Sequence, residues 1–463
     1  MRRRAAHMAF KASVSPRPRS IVGGERRAIP ARTHGDGMTA SADSDLETPP
    51  EPPATTPASA RAPTRRYEAR RKAIVASAVE ELNHKGIRGM TLGDVAGRLD
   101  LVPTGVIYYF RNKEELAQAC FLRAIERFDA LIAEGRGGAV LTERVARFTT
   151  AFFDFKRRAA AGEAEQIAVF NDVRALNCAP VNEAYTDMFR HARELLDVPG
   201  EALLPRLHRN ARAHLLLSEM FWAVAWVKHF ELADYDRAAS RMTDLLTHGL
   251  AAPGAAWPKR RPLDLTHADD RHADTSSELF LKAATELINA EGYHGASVER
   301  ISGKLNVSKG AFYHHNETKD ELVIACFQRA FDIMWRAIRA AETQGGSGLE
   351  VLAAITSALV EYQVGGAAPL LRTSALTTVP EAIQPELMEK FDRLSLRFAS
   401  ILSDGIADGS IRPVDVNVGA QMITAMINAA SELHYWAPGL TAASAADHYV
   451  RPFFEGLVSP TAG

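Results

Sequence analysis

Cysteine is scarce in this chain: Cys120, Cys178 and Cys326 are the three in 463 residues. So odd and sparse a count excludes a disulfide framework and fits a reducing compartment, so a cytoplasmic location is expected. Net charge is lacking as well. At -1, with 55 basic and 56 acidic residues, affinity for a polyanion has to come from local charge. No apolar run is long enough to span a bilayer, so no membrane partner is expected. The Arg-rich start, Met1 to Arg4, is not followed by the apolar segment of a secretory signal. Phosphate-binding loops, nucleophile elbows and metal-ligand spacings are missing, so no enzyme activity, cofactor or metal site is expected. His314 and His315 are adjacent on one helix and point in different directions, which argues against a shared metal. What remains is ordinary globular material: 46% hydrophobic and 24% charged residues, long enough for two or three domains.

Residues 1–64 are rich in Pro, Ala, Ser, Thr and Arg without apolar periodicity and read as a disordered extension. Within them Met38 offers a shorter translation start, which the intact mass of the native protein would decide. From Arg65 the pattern is helical to about Leu250, and it resumes after a polar, proline-broken stretch. The expected division is a helical head over 65–127, a helical bundle over 128–252 and a linker over 253–274. A second head over 275–332 and a second bundle over 333–463 follow.

An internal repeat carries this division. Displaced by 206 positions, Ile74 to Ala124 lies over Phe280 to Ala330 without a gap. Asn83, Gly86, Gly89 and Gly97 fall on Asn289, Gly292, Gly295 and Gly303, and Ala119-Cys120-Phe121 falls on Ala325-Cys326-Phe327. Compositional bias does not align glycines and a Cys-Phe pair, so the unit is duplicated. Each copy reads as a first helix ended by Gly86 or Gly292, then a short helix capped by Thr91 or Ser297. A turn at Asp100-Leu101-Val102 or Asn306-Val307 leads to a third helix, opened in the first copy by Pro103. Two short helices across a tight turn form a helix-turn-helix, placed at about 91–110 and 297–316. On periodicity alone a plain helical hairpin remains open.

The residues themselves narrow this. LVPTGVIYYFRNKEEL (Leu101 to Leu116) and VSKGAFYHHNETKDEL (Val307 to Leu322) resemble the recognition helix and the start of the next helix in the TetR family. Gly409 to Val416 resembles the turn before that family's penultimate helix. The resemblance implies an all-α fold of two tandem TetR-like modules, each a three-helix DNA-binding head followed by a helical bundle that binds ligand and pairs with a partner. It implies double-stranded operator DNA as a partner, with DNA contacts in the first head from Thr91, Val102, Pro103, Thr104, Gly105, Ile107, Tyr108 and Lys113. In the second it implies contacts from Ser297, Ser308, Lys309, Gly310, Ala311, Tyr313, His314 and Lys319. Lys113 and Lys319 are expected to reach phosphates. Phe110 is expected in the core and Tyr108 outside it. The family usually has Tyr where Ile107 stands and Phe where Asn316 stands, which removes a hydroxyl from one head and an anchor from the other.

Charge separates the copies further. Arg61 to Arg127 holds 13 Lys/Arg against 8 Asp/Glu, whereas Asp274 to Arg329 holds 6 against 8. The basic arm that includes Arg70 and Arg71 has no counterpart before the second head. The first head is therefore expected to supply more of the DNA affinity, and a second head degenerate for DNA is the alternative.

Downstream, Arg206 to His229 with Ala238 to Leu250, and Asn417 to Tyr435 with Ala443 to Leu457, are the expected pairing helices. They either form bundle core or pair the two halves of one chain as a pseudo-dimer. For a small-molecule effector, Phe152, Phe155, Phe170, Trp222 and Trp226 are candidate pocket residues in the first bundle. Tyr362, Met422, Met426 and Trp436 are the candidates in the second. Ordinary core is the competing reading of each. An aromatic lining favours a hydrophobic or acyl-type effector. The whole reads as a ligand-responsive transcription regulator, in the family's usual mode a repressor.

Overall fold

The structure, a computed structural model, describes residues 64–171, 173–265, 275–315, 318–366, 369–372, 375–376, 379–380 and 382–458. The expected disorder before Thr64, the end of the linker over 266–274, and Asn316 lie outside the described residues.

Helix α1 (Arg65–Gly89) starts where Thr64 Oγ1 accepts from the Tyr67 amide at 3.3 Å. Ile74, Val75, Ala78 and Leu82 recur at helical spacing and are buried. Gly86, at φ 65°, ends the straight run in a backbone region that side chains resist. Thr91 caps α2 (Leu92–Gly97) by accepting from the Asp94 amide at 3.1 Å. Asp100, at φ 52°, makes the turn, and Pro103 opens α3 (Pro103–Ile107). A long α4 (Lys113–Arg136) leaves this head and enters a bundle with α5 (Leu141–Ala160), α6 (Ala179–Leu196), α7 (Arg206–Trp226) and α8 (Tyr235–His248).

The second half repeats the plan. Helix α9 (Thr275–Gly295) is broken at Gly292, φ 73°; Ser297 caps α10 (Val298–Lys304); Asn306, φ 55°, turns into α11 (Lys309–His315). The bundle comprises α12 (Lys319–Gln344), α13 (Gly348–Val364), α14 (Gln384–Ala407), α15 (Val416–Ala429) and the short α16 (Leu433–Trp436). Helix α17 (Ala442–Ala445), a π-helical turn over Ala446–Val450 and α18 (Arg451–Glu455) close it. Among the described residues there is no strand, only an isolated bridge between Ala251 and Ile411. No described helix is long and apolar enough to cross a membrane.

The two bundles share one apolar core, because α7 packs along α15. At the seam His214 Nε2 lies 2.9 Å from the Ala429 carbonyl oxygen, and Arg212 donates to the Leu457 carbonyl at 2.5 Å. Trp436 of the second bundle stacks on Phe189 of the first, ring centroids 3.4 Å apart. Where α8 and α18 end they exchange main-chain bonds: Leu250 and Ala251 donate to the Phe454 carbonyl, and Leu457 donates to that of Leu246. A Cβ on Gly249 would collide with Phe454, and one on Gly456 with Thr247, so this crossing requires glycine on both sides.

The proline-broken stretch after Ala252 is pinned along its described part. Trp257 packs against Phe454, Arg260 grips Glu361 with two bonds of 2.9 and 2.5 Å, and Arg336 donates to the Leu265 carbonyl. The heads also touch, through Arg88 and Glu291 at 3.3 Å, with Gly89 pressed against His294.

Candidate nucleic-acid interface

Each short recognition helix is held from behind and open in front. In the first head Val106 and Phe110 are its buried anchors, and in the second Phe312 takes the place of Val106. The outward face of the first carries Val102 (66% exposed), Pro103, Thr104, Ile107 (47%) and Tyr108 (73%). Phe110, at 1% exposed, and Tyr108 thus fall inside and outside the core as the sequence suggests. Apolar side chains grouped on an open helix face mark a contact surface rather than a core. Tyr313 projects in the second head at the position of Ile107, flanked by exposed Ser308, Lys309 and Gly310. The side chains of Ala311 and His314 lie outside the described residues. Gly105 is half-buried over Leu101, and the Thr91 and Ser297 hydroxyls act as helix caps.

The cations are less alike than their register. Arg70 is exposed, and Arg71 lies 4.8 Å above the Phe110 ring while staying exposed. Tyr67, Tyr108 and Tyr109 form a cluster beside them, with centroids 4.8 to 6.1 Å apart. Lys113 and Lys319, read from the sequence as phosphate contacts, each donate to main chain in this structure. Lys113 Nζ donates to the carbonyls of Ile87 and Arg88, and Lys319 Nζ to that of Tyr293 at 2.5 Å. The physical reason is the kink at Gly86 and Gly292, which leaves carbonyls at the end of α1 and α9 in need of a donor. Lys319 also sits 3.7 Å over the Tyr293 ring, and burial pushes its pKa down to about 8. Lys309 is paired with Glu299, whose carboxyl is held at about 2 chiefly by that hydrogen bond.

A cavity of about 130 Å³ lies in the first bundle against the second. Phe152, Phe170 and Trp222, expected pocket residues, line it with Phe128, Tyr185 and Phe221. The other expected pocket residues do not. Phe155 is buried under Arg127, Trp226 packs on Phe153 and Phe230, and the Tyr362 hydroxyl is taken by Arg329. Met422 and Met426 are fully buried, and Trp436 is used up in stacking on Phe189. Sequence reading missed Lys156, His214, Arg372 and Glu432, all in the cavity wall. It also missed the purpose of Asn83, which accepts from the Val169 amide and donates to the Ile167 carbonyl. Asn289 does the same for Arg372 and Leu370. A polar residue recurring at one register on an apolar helix face was the available signal.

The profile of bacterial regulatory proteins of the tetR family matches residues 74–120 and 280–326. The Transposon Tn10 TetC protein of Escherichia coli is 33% identical over 96 residues, 21% of this chain, and the match spans about half (48%) of that relative's length. The HTH-type transcriptional repressor DhaR of Mycobacterium sp. (strain GP1) is 25% identical over 135 residues, 29% of this chain and 68% of that protein. A solved tetR-family regulatory protein from Rhodococcus RHA1 superposes with a TM-score of 0.34 at 21% identity, covering 40% of this chain and 98% of that one. Both profile matches fall on the two repeats, each around its own helix-turn-helix, so the chain carries two helix-turn-helix modules of the tetR type in tandem.

Proposed function

We propose that this chain is a transcription regulator whose two heads read the unequal halves of one operator, and that a small molecule taken into the bundle releases it. The observation that carries the reading is the pair of in-register recognition helices, each anchored by buried aromatic or aliphatic residues and open on the other face. Packing of α7 on α15 within one polypeptide supports a built-in pseudo-dimer. Regulators of this kind address half-sites about 34–36 Å apart, one helical turn of DNA. Since the two outward faces differ at every aligned position from Val102/Ser308 to Tyr108/His314, the operator is an imperfect palindrome. Repression is the usual mode of the family, and one relative is named a repressor.

Selection of bound genomic DNA followed by footprinting tests this. Two protected half-sites with one chain per shortest functional fragment, by light scattering, is the expected result. Chain dimers on that fragment would remove the pseudo-dimer. A second reading, a second head that pairs but does not read DNA, is favoured by Lys309 being paired to Glu299 and Lys319 being half-buried over Tyr293. It predicts a single protected half-site.

A further inference from the structure

We propose that the cavity between the bundles binds one compact aromatic monocarboxylate per chain, with the Lys156 ammonium as its anchor. This rests on the effector-released reading above and names the chemistry of that effector.

Charge in the cavity wall is the first argument. Arg372 and Glu432 neutralise each other at 2.7 Å, and Trp436 Nε1 also donates to that carboxylate at 3.3 Å. Burial opposes ionisation of Glu432, but the guanidinium groups of Arg372 and Arg174 still hold it at about 2. His214 is kept neutral by burial, with a pKa of about 4, and the Tyr185 phenol is held protonated, also by burial. Lys156 remains. It is half-buried, reaches the wall from α5, and has no carboxylate within ion-pair distance among the described residues. The nearest acid along α5, Asp154, is bonded to Arg157 and Arg158 instead. Burial alone depresses the Lys156 pKa. An ammonium removed from water without a counter-charge is costly, and a ligand carboxylate relieves that cost.

Shape is the second. A dry cavity of about 150 Å³ admits a benzene ring, and this one has about 130 Å³. Phe128, Phe152, Phe170, Phe221 and Trp222 surround it, and the Trp222 indole N–H is buried without a hydrogen-bond partner. A ring carrying one carboxylate satisfies the aromatic wall and the ammonium together. The third argument concerns number. Helix α13, the counterpart of α5, holds no Lys or Arg, and its Tyr362 phenol is already bonded by Arg329 at 2.8 Å. The second bundle has no matching cation on that helix, and its residues Arg372 and Glu432 serve as wall for the first.

Calorimetry on the full chain with benzoate and phenylacetate, against benzamide and phenylacetamide, tests this, with Trp222 emission as a second readout. The expected result is one carboxylate per chain, bound at least tenfold more tightly than its amide. Lys156→Met should abolish that preference without lowering the melting temperature, and Lys156→Arg should keep it. Equal affinity for acid and amide, unchanged carboxylate binding in Lys156→Met, or two sites per chain overturns the proposal. A protein that footprints its operator but takes up neither acid has lost this ligand class and kept its DNA reading. A protein that binds the acids but no DNA has done the reverse.

Discussion

Glu219 sits on α7 beside the seam, fully buried, and neither of its carboxyl oxygens has a hydrogen-bond partner. Burial favours the neutral acid and raises its pKa well above the ordinary carboxylate range. The unfolded chain titrates this group near about 4.3, so the folded state holds the proton more tightly. Its contribution to stability is therefore fully present below the unfolded value and is lost as pH rises toward the folded one. Glu219→Met keeps the volume and removes the titration. Urea unfolding should show a midpoint gain over the parent that grows from pH 5 to pH 8; an equal gain at both values would rule out titration as the cause. A carboxyl of this kind cannot be picked out from sequence, since Glu219 stands in an apolar run where helical spacing permits either an edge or a core position. Lys113 and Lys319 illustrate the same limit. Their place at a helix start reads as surface, and only the ends of α1 and α9, distant in sequence, reveal what they bond. Phe110 and Tyr108 were legible because burial there follows from the local helix face alone.

Helices, caps and turns were the most legible level. Thr91, Ser297, Pro103 and the glycines at 86 and 292 act within a few residues of themselves, and the repeat states the caps and the glycines twice. What sequence could not give is how a head is tied to its bundle. Asn83 reaches from α1 to the strap at Ile167 and Val169, and Asn289 from α9 to Leu370 and Arg372. Each carboxamide uses its acceptor and a donor on main chain, as a strand neighbour would. Both straps border the cavity, the first through Ile167 and Val169 and the second through Arg372. The same asparagine therefore links each head to a segment of the cavity wall. Removing it leaves a half-buried N–H and C=O unpaired, a loss of about 1–3 kcal/mol. Asn83→Ala and Asn289→Ala should each lower the free energy of urea unfolding by that order. A loss below about 0.5 kcal/mol for either, within the usual range of surface substitutions, would mean that water replaces the clamp and that the heads are tied elsewhere.

Across the whole molecule, the two halves share one architecture and differ in electrostatics. Their bundles are joined through α7, α15 and the crossed glycines at 249 and 456, so the heads are carried at a spacing set by one core rather than by a loose linker. On such a frame each head's DNA affinity depends on the cations it leaves uncompensated. The first head offers Arg70 and Arg71 on an exposed helix face beside the Tyr67, Tyr108 and Tyr109 cluster. The second offers Lys309, neutralised by Glu299, and Lys319, half-buried over Tyr293. Each phosphate neutralised adds about 0.9 to the slope of log affinity against log salt. Arg70→Ala with Arg71→Ala should therefore reduce that slope by about 2 on an operator fragment. Lys309→Ala alone should change it by less than half of one contact, because freeing Glu299 leaves an acid in its place. Lys319→Ala is unsuitable as the comparison, since it strips the end of α9 of its donor and lowers stability along with affinity. Binding isotherms at four or five salt concentrations decide the matter. A larger loss of slope from Lys309→Ala than from the arginine pair would place the weight of DNA binding on the second head and reverse the asymmetry argued from charge.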